Sequence, residues 1–306
     1  MLKRFFICCY LLAPIWIAAQ QVPDKSYEPK IENPMYTQGE GSVILIDQGH
    51  ENFHTKDGNY WAFAHLLERD GYRLGAHEGK FTKESLEKGK ILVVSNALNK
   101  VNIGKWYLPT PSAFSSKEID EVKNWVAQGG SLFLIADHMP MAGAAEALAA
   151  AFGFKFTNGF VFNTTSNSGT AYFKIADKTL QPSIITEGRN ANEAISEVVS
   201  FTGQGFQIPD KAKPVLNFGD SYVNLLPDTA WVFKDIPRTP VKGWSQGAFM
   251  KHGKGRVVMW GEAAMFTAQL AGPNKRKFGM SLAIAKENYQ LLLNIIHWLD
   301  GRLEEQ

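Results

Sequence analysis
The chain has 306 residues, 45% of them hydrophobic and 20% charged, a balance that argues against disorder, collagen-like repeats and coiled coil. The 32 basic residues nearly match the 30 acidic ones. That parity argues against nucleic acid as the main partner, because phosphate binding needs an excess of positive charge. Both cysteines, Cys8 and Cys9, lie near the start. A chain processed beyond residue 19 has neither, which excludes a cysteine nucleophile, a thiolate metal site and a disulfide framework.

In chain order, Lys3-Arg4, the apolar run Phe5 to Ile17 and the small pair Ala18-Ala19 have the layout of a signal peptide over residues 1–19. The run is short for a bilayer span, which takes about 20 apolar residues. No later segment reads as a membrane helix, so an exported protein, periplasmic or secreted, is expected. Residues 20–41, with Pro23, Pro29 and Pro34, read as an extended lead-in. Ser42–Asp47 is a continuous apolar run, as in a buried parallel strand. Asn59–Arg69 has helical spacing and stops at Asp70-Gly71, Tyr72–Leu74 is a second strand, and Ile91–Ser95 a third. Ser115 and Glu118 form a capping box. The helix behind it runs through Ile119, Val122 and Val126 to Gly129-Gly130, followed by the strand Ser131–Ala136 and the helix Ala142–Phe152.

From Gly153 to Trp244 the alternation breaks into turn-rich sequence, read as an irregular insertion (153–244) with short, partly antiparallel strands. Gly247–Gly255 resembles a hairpin, Arg256–Trp260 a last core strand, and residues 284–299 a closing helix. The fold class expected is α/β: one flavodoxin-like domain over 42–300, an open and mostly parallel sheet with helices on both faces.

In such a sheet ligands bind outside the carboxyl ends of the strands. Strand ends here supply Asp47, His50 and His54, then Asn96, then Asp137 and His138, and finally Glu262. Two chemistries suit them. Imidazoles and carboxylates (His50, His54, Asp137, His138, Glu262) are donors for a divalent metal such as zinc or manganese, with water activated at an open position. Alternatively, His–carboxylate pairs act as general acid and base without metal. Asp47 and Asp137 have a plainer use as helix N-terminal caps. Gln204 and Gln246 sit in glycine-flanked turns that either face the pocket or close loops. Phe160, Phe162, Tyr172 and Phe173 serve as a platform for a sugar ring or as core. No phosphate loop, dinucleotide fingerprint or Gly-x-Ser-x-Gly elbow is present.

The strings Ile44–His50, Gly129–Pro140 and Gly255–Phe266 resemble an uncharacterised exported family of class I glutamine amidotransferase-like proteins of flavodoxin-like fold. True members carry a cysteine at the turn after a central strand. Here that turn offers Asp137-His138, so the resemblance implies the scaffold without its nucleophile and carries over no glutaminase activity. Two functions follow as expectations. One is an exported hydrolase acting on a glycan or other envelope-derived substrate, with Asp137, His138, His50 and Glu262 as catalytic residues. Asp47, Asn96, His54, Gln204 and Gln246 would bind substrate. The other is a non-catalytic module that binds a saccharide or protein.

Overall fold
The computed structural model describes residues 21–304. The expected signal peptide and both cysteines lie outside the described residues. Seven strands form the central sheet: β1 Val43–Asp47, β2 Arg73–His77, β3 Ile91–Ser95, β4 Ser131–Ile135, β5 Lys213–Asn217, β6 Ser245–His252 and β7 Gly255–Trp260. Their spatial order is β2-β1-β3-β4-β7-β6-β5. The first five are mutually parallel, and β6 and β5 add an antiparallel edge. The parallel part is the doubly wound order in which the chain starts mid-sheet and reverses direction between β1 and β3.

Residue alternation explains why both faces are covered. Ile44, Ile46, Ile91, Val93, Phe133, Ile135, Val258 and Trp260 point into one core. That core is closed by helices α1 (Trp61–Arg69) and α4 (Asn288–Leu299). Leu45, Leu92, Val94, Leu132, Leu134, Val257 and Met259 point the other way. They pack beneath α2 (Ser116–Ala127) and α3 (Met141–Ala150). A strand apolar at every position, as β3 and β4 are over most of their length, must be buried on both sides. Between β6 and β7 the chain reverses at Gly253-Lys254, the hairpin expected from sequence.

The segment 153–244 is only partly an insertion, because β5 lies within it and belongs to the central sheet. Its other strands form small antiparallel sheets: Phe160–Asn163 with Tyr222–Leu225 and Arg238–Pro240, and Ala171–Lys174 with Glu197–Ser200. The lead-in is tied down as well. Gln21–Pro23 pairs with Ala268–Ala271, and Tyr27, Ile31, Met35 and Tyr36 pack on the core. Among the described residues no helix is long and apolar enough to cross a membrane.

Candidate active-site cleft
Register brings the site together. Ile135 at the end of β4 pairs with Ser95 of β3 on one side and Trp260 of β7 on the other. The residues that follow, Asn96, Asp137 and Glu262, therefore leave the sheet at one level. Asn96 turns the chain with φ +47°, a left-handed conformation that asparagine tolerates better than most residues. Its side chain then brackets Asp137: Asn96 Oδ1 accepts from the Asp137 backbone N–H at 2.8 Å, and Asn96 Nδ2 donates to Asp137 Oδ2 at 2.9 Å. The Ala263 N–H donates to the other oxygen, Oδ1, at 3.0 Å.

Glu262 is buried beside it. Its carboxylate accepts from the N–H groups of Ala264 (2.7 Å), Met265 (2.9 Å) and Phe201 (3.4 Å). Burial, and then the negative charge of Asp137, nevertheless push Glu262 well above the usual carboxylate range. His54 is fully buried, and desolvation pulls it down to about 4 against the opposing pull of Asp137. Its Nδ1 has no hydrogen-bond partner. His138 is lowered too, first by burial, and donates from Nδ1 to the Met139 carbonyl at 2.7 Å, which leaves Nε2 as the unprotonated nitrogen. Its ring stacks on Phe160 at 4.2 Å and meets Trp231 edge-on at 4.7 Å.

These residues open onto one cleft of about 670 Å³, whose walls include His54, Asn96, Asp137, His138 and Glu262. That volume lies within the range of small-molecule sites. Phe53, Trp106, Trp231 and Phe278 form aromatic walls, and Gln21, Asn59 and Gln269 add polar groups. No Lys or Arg is among the described lining residues.

Other residues expected at the site lie away from this cleft. His50 and Asp47 are absent from the cleft walls. His50 Nδ1 lies 2.9 Å from Asp47 Oδ2, and its Nε2 lies 3.0 Å from Glu118 Oε1. Both ring nitrogens are thus engaged by carboxylates inside the protein, and Phe81 and Phe114 flank the ring. Burial alone would lower His50. The hydrogen bonds and charges of Asp47 and Glu118 outweigh it and raise His50, while Asp47 and Glu118 are held low. Gln204 and Gln246 are also buried behind the cleft. Gln204 bridges the Thr157 N–H and the Ala136 carbonyl, and Gln246 donates to the Thr202 carbonyl. Among the described residues no group of three His, Cys, Asp or Glu side chains is disposed to hold a metal ion.

Sequence reasoning missed the aromatic walls. Trp231 is half exposed with φ +68°, an uncommon conformation for a bulky residue and one found at functional positions. An aromatic residue between Pro227 and Pro237, in a loop with no core to fill, was the available signal.

The sheet order and the rim define an open, doubly wound α/β protein with a carboxylate-bearing cleft at its strand ends. No family model and no curated protein matches the chain. Among solved structures it is similar to the N-terminal domain of mmIFT52, with TM-score 0.57 and 13% identity over 84% of this chain and 97% of that one. A putative ThuA-like protein from Bacteroides uniformis gives TM-score 0.45 and 11% identity, covering 89% of this chain and 94% of that one. A putative GMP synthase protein from Thermoplasma acidophilum gives 0.43 and 11%, covering 86% and 96%. At such identity the likeness to the mmIFT52 domain is one of fold.

Proposed function
We propose that the cleft is the active site of a hydrolase acting on a neutral or amino-bearing saccharide, with Glu262 as proton donor and Asp137 as proton acceptor. The observation that carries this reading is the pair of carboxyl groups on one cleft, one of them raised well above the usual carboxylate range by burial and by the charge of the other. Carboxyl groups whose environments push them apart divide acid and base roles. In the reaction, water oxygen bonds to the reacting carbon while Asp137 takes the water proton. The bond to the leaving oxygen or nitrogen breaks, and that atom takes the proton of Glu262. Asn96 and the Ala263 N–H orient Asp137 for this, and neutral His54 and His138 supply hydrogen-bonding groups without adding positive charge.

With no Lys or Arg among the described lining residues, an anionic ligand would meet the Asp137 carboxylate and no cation, which sets the charge preference. The substrate class proposed is envelope-derived glycans or their ester and amide decorations. The test is release of new reducing ends, acetate or ammonia from neutral and amino-bearing glycans by the wild type and by Glu262→Gln. Loss of a positioned acid lowers turnover by about 10²–10⁴-fold, with binding retained. The second reading, a non-catalytic saccharide-binding protein, is favoured by the aromatic walls. It takes over if glycan binds and the wild type turns over nothing beyond the Glu262→Gln background.

A further inference from the structure
A second cavity, of about 660 Å³, opens beside the cleft and shares Phe53 and Trp106 with it. These two rings meet edge-to-face at 6.3 Å and form a sill between the cavities. We propose that the second cavity is a further sugar subsite, so that the ligand is a linear oligosaccharide with one unit at Asp137 and Glu262 and the next beyond the Phe53–Trp106 sill. This inference rests on the saccharide reading of the cleft and extends it to a substrate of defined length.

Three observations support it. The first is composition. The second cavity has an apolar side, Leu98 and Ile103, and a polar side, Gln48 and Glu51, and again no Lys or Arg among its lining residues. A pyranose presents C–H faces to rings and aliphatic groups and hydroxyls to amides and carboxylates, and mixed walls of this kind suit it. Together the two cavities carry Asp137, Glu262 and Glu51 with no cation, which disfavours phosphorylated and uronic-acid chains. The second is exposure. Phe53 and Ile103 are 45% and 51% exposed, large apolar groups left in water at the edge of a cavity and available to a ligand.

The third is that the sill is anchored. The Phe53 N–H donates to the Asn96 carbonyl at 3.0 Å and the Leu98 N–H to the His50 carbonyl at 2.9 Å, which lock the loop after β1 to the loop after β3. Beneath them Asn52 donates to Asp47 and to the Ser95 carbonyl, and His50 is clamped between Asp47 and Glu118. The Trp106 carbonyl accepts from the Ala230 N–H at 2.8 Å, tying it to the loop that carries Trp231. His50 and Asp47 thereby act as positioning residues for the sill, although neither lines a cavity.

The experiment is calorimetric titration of the wild type with cello-, chito- and manno-oligosaccharides from mono- to pentasaccharide, with oligogalacturonides as the anionic comparison. Ile103→Trp, at a half-exposed position that tolerates substitution, puts a bulkier side chain on the wall of the second cavity and narrows it. We expect at least one uncharged series to bind with affinity rising about ten-fold or more from the first unit to the second or third. Ile103→Trp abolishes that rise and leaves monosaccharide affinity unchanged. Affinity independent of length, a rise that survives in Ile103→Trp, no binding of any uncharged series, or preference for the oligogalacturonides would overturn the proposal. The hydrolase reading fails separately. If the length-dependent ligand binds but is not cleaved, the subsite stands and catalysis falls; cleavage without length dependence removes the subsite alone.

Discussion

Glu262 and His54 are held against their solvent preferences, and both therefore cost stability in a defined direction of pH. Glu262 is raised in the folded state. Its protonated form is favoured by folding, and that contribution is lost as pH climbs from the ordinary glutamate value, about 4.3, through the raised one. At neutral pH, Glu262→Gln relieves the buried charge but its NH2 cannot accept from the backbone N–H groups held by one carboxylate oxygen, so a modest net cost of about 1 kcal/mol is expected, while turnover of a cleavable glycan falls. Urea unfolding at pH 7 checks this, and a loss above about 3 kcal/mol would show that the carboxyl is chiefly a structural anchor. His54 has the opposite sign. Its value falls from 6.5 to about 4, so the neutral ring is favoured and stability is lost as pH drops from 6.5 towards 4. Fully developed, that loss is about 3 kcal/mol. His54→Gln should flatten this acid limb in urea titrations at pH 7 and pH 4; an unchanged slope would mean that His54 charges freely.

The elements around the site are joined by side chains with two duties. Glu118 caps α2, accepting from the Ser115 N–H at 3.0 Å and its hydroxyl at 2.6 Å, and also receives His50 and the Phe81 N–H. The capping box was legible from the Ser-x-x-Glu spacing. The second duty was not, because the sequence holds no record that the loop after β1 lies over the start of α2. His50 read as a rim histidine for the same reason: only its tertiary contact with Glu118 shows that its ring is taken up inside the protein. The clamp has its own pH window. Asp47 and Glu118 are lowered, so their contribution is present above about 4 and lost as pH falls through their depressed values. The contribution of His50, which is raised, is complete below about 6.5 and lost as pH rises through its folded value. Ser115→Ala should cost about 1 kcal/mol. Glu118→Gln should cost about 2–3 kcal/mol near pH 6, because it leaves a buried imidazolium with one partner, and less once pH exceeds the folded value of His50, read from its own NMR titration. Equal costs on the two sides of that value would contradict a charged clamp. Gly203 shows how closely the elements meet: at φ +86°, a Cβ there would stand 2.1 Å from the Gly261 carbonyl oxygen and 2.9 Å from the Glu262 side chain. Gly203→Ala should therefore lower both melting temperature and turnover.

At the scale of the molecule, the fold was readable because buried parallel strands announce themselves as apolar runs, and Val43–Asp47, Ile91–Ser95, Ser131–Ile135 and Gly255–Trp260 all do so. The rim followed from that topology, which is why Asn96, Asp137, His138, His54 and Glu262 were named and do share a cleft. What the sequence withheld was depth. Gln204 and Gln246 are flanked by glycines as pocket-loop residues often are, yet both are fully buried: Gln246 lies within β6, and Gln204 is held between the Thr157 N–H and the Ala136 carbonyl. The aromatic walls come from loops far apart in the chain, at 53, 106 and 231, and only tertiary structure brings them together. The doubly wound scaffold thus forms a strand-end cleft that presents two carboxylates, one of them raised by burial and by its neighbour. The most direct measurement is a carboxyl ¹³C NMR titration of Glu262 in the wild type and in Asp137→Asn. We expect Glu262 to titrate well above ordinary glutamates in the wild type and to move down when the Asp137 charge is removed. A Glu262 that titrates in the ordinary carboxylate range, or one indifferent to Asp137→Asn, would contradict the acid–base pair.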